Sequence, residues 1–197
     1  VWPEIEKASG FPDAVSLEFV GGNPDENIYP ILKTLQSASP SFKLPVVWNC
    51  HLYAMPVLYK LLSGVVDVFL PDFKYSNNKC GKELSGIDDY WDCAREGLNL
   101  MTKLPARIIM RVLILSNHVK CCNLPVIEFL SKFRERIWVS VLDQYIPDYK
   151  AVSTPGMDRR PTAEEIRTVR EAVREYGLRE VTDRPGLFWK EAGSGDE

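Results

Sequence analysis

Gly21 and Gly22, followed by Asn23 and Pro24, come directly after an apolar run. Adjacent glycines let a backbone turn tightly, aim its N–H groups outward and lie close against a ligand, although ordinary strand-to-helix turns use them too. Asn49, Cys50 and His51 follow a second run, where each also suits a helix cap or loop packing. Asp72 and Lys74 follow a third; two positions apart, they face the same side of an extended chain. Such a pair makes either a salt bridge or a grip on the amine and the hydroxyl or carboxylate of a polar ligand. Arg111 stands in the middle of a fourth apolar run, where an unpaired charge is costly. It needs an anion, either Asp72 on the neighbouring strand or a ligand carboxylate. Asp143, Gln144 and Tyr145 end a fifth run.

The thiols form a separate group. His118, Cys121 and Cys122 make an H-x-x-C-C cluster, and the sequence has no C-x-x-C or C-x-x-x-C pair. Side chains of adjacent cysteines usually diverge, so a reactive or merely buried pair competes with a metal site, and no metal ligand is assigned. The sequence also has no G-x-S-x-G, P-loop, G-x-G-x-x-G or H-E-x-x-H, so hydrolase, nucleotide-kinase and dinucleotide dehydrogenase readings lack their usual anchors.

The five runs that carry these groups read as buried strands over 14–20, 45–48, 65–70, 107–115 and 137–142, rich in β-branched and aromatic residues and bounded by turn signals. Helical periodicity fills the gaps over 27–38, 53–62, 88–101, 124–133 and 162–176. Asp25 or Asn27 suits the N-cap of the first helix. The last has a capping-box spacing in Thr162 and Glu165, and Gly177 closes it. Alternating strands and helices predict right-handed crossovers and a mainly parallel α/β sheet. In such folds ligands bind at the C-terminal strand ends, which is where the polar groups lie.

The 197 residues suit one α/β unit, with 45% hydrophobic and 26% charged residues as in ordinary globular chains. A net charge of −3 and dispersed basic residues give no footprint for nucleic acid. No run approaches a membrane span, and the first residues lack the pattern of a signal peptide. Five sparse cysteines argue against a secreted disulfide scaffold, so the expected setting is a reducing cytoplasm.

Phe19-Val20-Gly21-Gly22-Asn23-Pro24, Val46-Val47-Trp48-Asn49 and the run from Asp67 to Tyr75 resemble radical S-adenosylmethionine (radical SAM) enzymes of the pyruvate formate-lyase activating enzyme-like subgroup. The runs from Arg111 to Cys122 and from Asp143 to Ala151 fit the same pattern in order. The resemblance implies a partial (β/α) barrel of the radical SAM type over 1–151, with S-adenosylmethionine held across its strand ends. Beyond the resemblance, the residues themselves read as a linker and C-terminal helix over 152–180 and a flexible tail over 181–197. Gly21, Gly22 and Pro24 match a Gly-Gly-Glu-Pro motif that contacts the cofactor's amino group. Asn23 replaces the acidic residue there, which implies weaker binding. Asp72 and Lys74 match an Asp-x-Lys pair near the cofactor, and Arg111 matches an arginine near its carboxylate, which would supply the anion Arg111 needs. Asn49 and Gln144 fall on the same rim.

The family's C-x3-C-x2-C motif, whose thiolates hold a [4Fe–4S] cluster, has no counterpart in this sequence. The first barrel strand and its cluster loop are therefore expected in a missing N-terminal segment or upstream half, and this chain alone should make no radical. The complete protein would cleave S-adenosylmethionine to a 5′-deoxyadenosyl radical and abstract hydrogen, as glycyl-radical activators do; the electron donor and the protein or small-molecule substrate are unidentified. Two alternatives stand beside this: a non-catalytic barrel remnant that binds a ligand or partner, and a metal or redox module built on His118, Cys121, Cys122 and Cys50. The fragment reading also predicts an exposed edge on the first strand, and hence a chain that aggregates or needs a partner.

Overall fold

In the computed structural model, which describes residues 2–181, five strands form one parallel sheet in sequential order. They are β1 (Leu17–Phe19), β2 (Val46–Cys50), β3 (Val68–Pro71), β4 (Arg107–Leu113) and β5 (Ile137–Leu142). The helices are α1 (Trp2–Ser9), α2 (Ile28–Leu35), α3 (Pro56–Leu62), α4 (Asn78–Ser85), α5 (Tyr90–Met101), α6 (Leu124–Ser131) and α7 (Ala163–Glu175). When parallel strands follow one another in order, right-handed crossovers carry every connecting helix to the same face. That face of β4 and β5 is fully buried: Ile108, Met110, Val112, Ile137 and Val139 are 0% exposed. The opposite face is only half covered, and Arg111 and Ser140 lie side by side on it.

The core between sheet and helices is formed by Trp48, Phe69, Leu98, Met101, Ile127, Leu130 and Val169, all wholly or almost wholly buried. α7 joins this core through Val169 and Val173, and just after it Val139 forms an isolated parallel bridge with Glu180. The free side of β5 is thereby covered. β1, in contrast, has β2 as its one strand neighbour among the described residues, which matches the exposed edge expected of it.

Most elements fall where periodicity places them, with shorter ends. The strand expected over 14–20 narrows to Leu17–Phe19, and Asn49 and Cys50 lie inside β2 rather than after it. Neither Asp25 nor Asn27 caps α2 with its side chain; Asp25 Oδ1 instead accepts a hydrogen bond from the Trp48 indole at 2.6 Å. The capping box of α7 forms as its spacing predicts. Unanticipated are α1, α4 and a π-helical turn at Val119–Asn123. α4 is polar overall, so it does not stand out in the sequence: its buried residues are Cys80 and Gly81, and its ends are fixed by the Asn77 side chain and the left-handed Gly86. A Cβ on Gly81 would meet Tyr90 Cβ at 2.9 Å, so this glycine lets α4 sit directly on α5. Of the tail expected over 181–197, everything beyond Val181 lies outside the described residues.

Candidate functional site at the strand ends

Beyond β1 the backbone takes positive φ at three successive residues, Gly21 (79°), Gly22 (57°) and Asn23 (51°). A Cβ on either glycine would meet nothing, so glycine is selected here by conformation and not by crowding. Asn23 is the strained member, because non-glycine residues rarely adopt positive φ. Pro24 is buried and starts the short 3-10 turn Pro24–Asn27 that leads into α2. The turn aims two acceptors inward: Asn23 Oδ1 and Asp25 Oδ2 are buried with no hydrogen-bond partner. Burial pushes the Asp25 carboxyl up, partly offset by its hydrogen bond from Trp48, by nearby His51 and by the neighbouring Asn23 side chain.

These two residues open onto a cleft of about 540 Å³, bounded also by Ile28, His51, Leu58 and Lys74. Tyr90 also lines the cleft and ties the chain leaving β3 to that leaving β2, its hydroxyl lying 3.4 Å from the His51 carbonyl. Its buried hydroxyl accepts from the Lys74 backbone N–H at 2.9 Å and lies 3.2 Å from the Asp72 carbonyl. Burial raises the Tyr90 pKa well beyond its ordinary value, so the phenol stays protonated and able to donate.

Alongside the cleft, register produces a string of polar contacts. β3 and β4 pair Val68 with Arg107 and Phe69 with Ile108; continued four residues on, the same offset bridges Asp72 with Arg111. Arg111 Nε lies 2.7 Å from Asp72 Oδ1, an ion pair by distance although its N–H is not aligned for a hydrogen bond. Arg111 Nη2 donates to Asn49 Oδ1, and Asn49 Nδ2 donates to Glu18 Oε1 at 3.0 Å. Lys74 Nζ reaches Asp72 Oδ2 at 3.3 Å. The anion that Arg111 requires is therefore supplied by the protein's own Asp72, and no ligand is needed to satisfy that charge. Both side chains keep 25% exposure, so the pair remains reachable from the half-covered face.

Of the residues singled out from sequence, Asn23 and Lys74 line the cleft, with Gly21, Gly22 and Pro24 forming the turn at its edge. Asn49, Asp72 and Arg111 make the neighbouring string. Gln144 is exposed beyond β5 and hydrogen-bonds to none of them. Asp25 and Tyr90 also line the cleft, although by residue type Asp25 suits a cap and Tyr90 merely falls within the helix expected over 88–101.

A second constellation lies beyond the ends of β3 and β4. Cys80, His118, Cys121 and Cys122 bring one donor atom each within 4.8 Å of all the others. Cys80, from α4, has no motif around it to mark it, whereas Cys50 is buried in β2 and takes no part. Burial pushes the Cys121 and Cys122 thiols up and the His118 imidazole down, so all three favour their neutral forms.

No family model matches the chain. An uncharacterized protein of Methanocaldococcus jannaschii is 39% identical over 168 residues, which are 85% of this chain and 48% of that protein. The chain thus spans about half the length of that relative. Among solved structures, a domain of pyruvate-formate lyase-activating enzyme from Bacteroides vulgatus aligns with 85% of this chain and 98% of its own length, at a TM-score of 0.59 and 14% identity. A radical SAM methyltransferase from Sphaerobacter thermophilus covers 91% of this chain with 53% of its own, at a TM-score of 0.56 and 13% identity. At such identities the likeness speaks for architecture, and together with the sequential parallel sheet it establishes that this chain has a partial α/β barrel fold of the radical SAM type.

Proposed function

We propose that the cleft beyond β1–β3 binds S-adenosylmethionine, and that the chain is the cofactor-holding part of a longer radical SAM protein. The observation that carries this reading is the pair of buried acceptors, Asn23 Oδ1 and Asp25 Oδ2, on two residues that line the cleft, neither atom meeting a well-aligned donor within the protein. A buried acceptor without a partner is costly, and an α-ammonium group offers the donors both atoms lack. Asp25 also answers the departure at Asn23: a carboxylate two residues on restores the negative charge that the family's acidic residue would bring. The Gly21-Gly22 turn lets the cofactor's amino acid end approach the backbone. Lys74 offers a cation for the carboxylate, while Arg111 holds Asp72 in place. The apolar wall of Ile28 and Leu58 suits the less polar remainder.

Bound there, S-adenosylmethionine would supply an activated sulfonium for C–S cleavage. A [4Fe–4S] cluster does not fit the described residues in the family's manner. No C-x3-C-x2-C loop is present in the sequence, and none of the cysteines that do gather lines the cleft. No radical step is therefore derived from this chain, and hydrogen abstraction, with a glycyl-radical partner as one target class, is proposed only for the longer protein.

Titration calorimetry of the full chain with S-adenosylmethionine tests the reading. Saturable one-site binding is expected, weakened about 10- to 100-fold in Asp25→Asn, as for a lost charge-assisted hydrogen bond of about 1.5–3 kcal/mol. The substitution keeps an oxygen for the Trp48 indole, so the turn should survive it. Absence of saturable binding by the wild-type chain, or unchanged affinity in Asp25→Asn, would remove the proposal.

A further inference from the structure

The geometry points to a structural zinc site: we propose that Cys80, His118, Cys121 and Cys122 bind one Zn²⁺ and so fasten the loop after β3 to the loop after β4. A tetrahedral ion with Zn–S of about 2.3 Å and Zn–N of about 2.0–2.1 Å sets its ligands about 3.5–3.8 Å apart along the tetrahedron's edges. Here Cys121 Sγ lies 3.3 Å and Cys80 Sγ 3.9 Å from His118 Nδ1, and the sulfurs of Cys121 and Cys122 lie 4.0 Å apart. Every pair falls within 4.8 Å, so the four donors already approximate that tetrahedron. A polynuclear iron–sulfur cluster needs its thiolates spread around the breadth of its core, which this spacing does not provide.

Convergence of two adjacent cysteines is the feature that needs a cause, since neighbouring side chains ordinarily diverge. The π-helical turn Val119–Asn123 provides it. The His118 carbonyl accepts from both Cys122 N at 2.8 Å and Asn123 N at 3.4 Å, so the turn holds one more residue than an α-helical turn. A wider turn rotates less per residue, which narrows the angle between the consecutive side chains of Cys121 and Cys122, and their sulfurs lie 4.0 Å apart. Cys80 arrives from the first turn of α4, where the Asn77 side chain caps its backbone N–H at 2.8 Å.

The two loops are also tied independently of any thiol. Asn77 Nδ2 donates to the Cys121 carbonyl at 3.0 Å, and the Ser76 hydroxyl donates to the same oxygen. These contacts orient the strand of chain that presents the sulfurs, as outer-shell hydrogen bonds do in metal sites. Cys80 and Cys122 are buried while Cys121 is exposed, which leaves an entry path on one side. Four protein donors make a closed coordination shell, the arrangement of structural rather than catalytic zinc. As the ion binds, the three thiols release their protons to solvent, each sulfur donating an electron pair to the metal without any redox change.

No ligand of this site lines the cleft, so the inference stands apart from S-adenosylmethionine binding. What the ion would do for the rim is positional. The loop it anchors begins at Asp72 and Lys74, and the other follows the strand that carries Arg111.

Elemental analysis of the full chain purified under reducing conditions should give one zinc per chain. Replacement by cobalt should give the strong visible absorption of a tetrahedral site together with a thiolate-to-metal charge-transfer band. Both signals should vanish in the double variant Cys80→Ser with Cys122→Ser and persist in Cys50→Ser and Cys93→Ser. Because the double variant alters two buried residues and can fail to fold, Cys121→Ser at the exposed ligand is the companion measurement, with zinc affinity expected to fall at least tenfold. Wild-type chain that takes up neither metal stoichiometrically overturns the proposal. So does full metal content in the folded double variant, unchanged zinc affinity in Cys121→Ser, or an iron–sulfide chromophore that depends on these cysteines.

Discussion

β4 and β5 pair over six residues, and every second side chain along them is sealed beneath α5, α6 and α7. At the other flank β1 contributes three residues to the sheet, none of them buried, and the helix after it, α2, buries none either. The difference divides labour within one fold. The sealed flank supplies the apolar burial that holds the sheet together. The open flank carries the positive-φ turn, the cleft and the two unpartnered acceptors, features that cost stability and persist only because the rest of the sheet is rigid.

Core truncation on each flank should show this contrast most strongly. Ile108→Ala removes a wholly buried side chain and should cost about 2–5 kcal/mol in urea unfolding. Ile31→Ala, from a half-buried position on α2, should cost about 1 kcal/mol. Equal losses would mean that the open flank is as integral to the core as the sealed one, and the division would fail.

Between the flanks lies the string Glu18, Asn49, Arg111, Asp72 and Lys74, which crosses from β1 to β4. Arg111→Met should cost about 1–3 kcal/mol, less than for a fully buried pair because both partners keep some exposure. Lys79→Met, which breaks a solvent-exposed pair with Glu83 on α4, should change stability by less than about 0.5 kcal/mol. A similar cost for both would show that the string does not join the flanks. Replacement of Arg111 should also lower S-adenosylmethionine affinity, since Asp72 would no longer be held beside Lys74.

The sealed flank was the more legible in sequence, and for a physical reason. One face of β4 and β5 is sealed and the other half covered, so apolar residues dominate both strands and pattern finds them nearly at their true limits. β1 is marked mainly by the glycines that end it, and its apolar neighbours Val15 and Val20 are exposed rather than paired, so pattern alone extends it too far. Arg111 announced its need for an anion, but only register decides between Asp72 and a ligand, and register is a long-range property. Cys80 was invisible because its helix is polar and its partners lie about forty residues on. Adjacent cysteine side chains diverge on an α-helical or extended backbone, and the π-helical turn that carries Cys121 and Cys122 leaves no simple trace in residue type.

The smallest effect concerns the cap that attaches α7 to the sealed flank. Glu165 accepts two hydrogen bonds from Arg159, at 2.7 and 3.0 Å, and takes the backbone N–H groups of Thr162 and Asn117 at 2.8 and 2.9 Å. The Arg159 contacts above all lower its pKa from 4.5 to about 2. Because the folded-state value is depressed, the stabilisation is complete above pH of about 4.5 and disappears as pH falls towards about 2. With Arg159 substantially exposed, the charge is worth about 1 kcal/mol. Wild type should therefore exceed Glu165→Gln by that amount in denaturant unfolding at pH 6, and the two should converge near pH 2. Asn117 immediately precedes His118, so this cap also steadies the turn that presents the imidazole. If the two proteins instead keep a constant separation across that range, the carboxylate's charge is not what fastens α7, and its attachment rests on the apolar contacts of Val169 and Val173 alone.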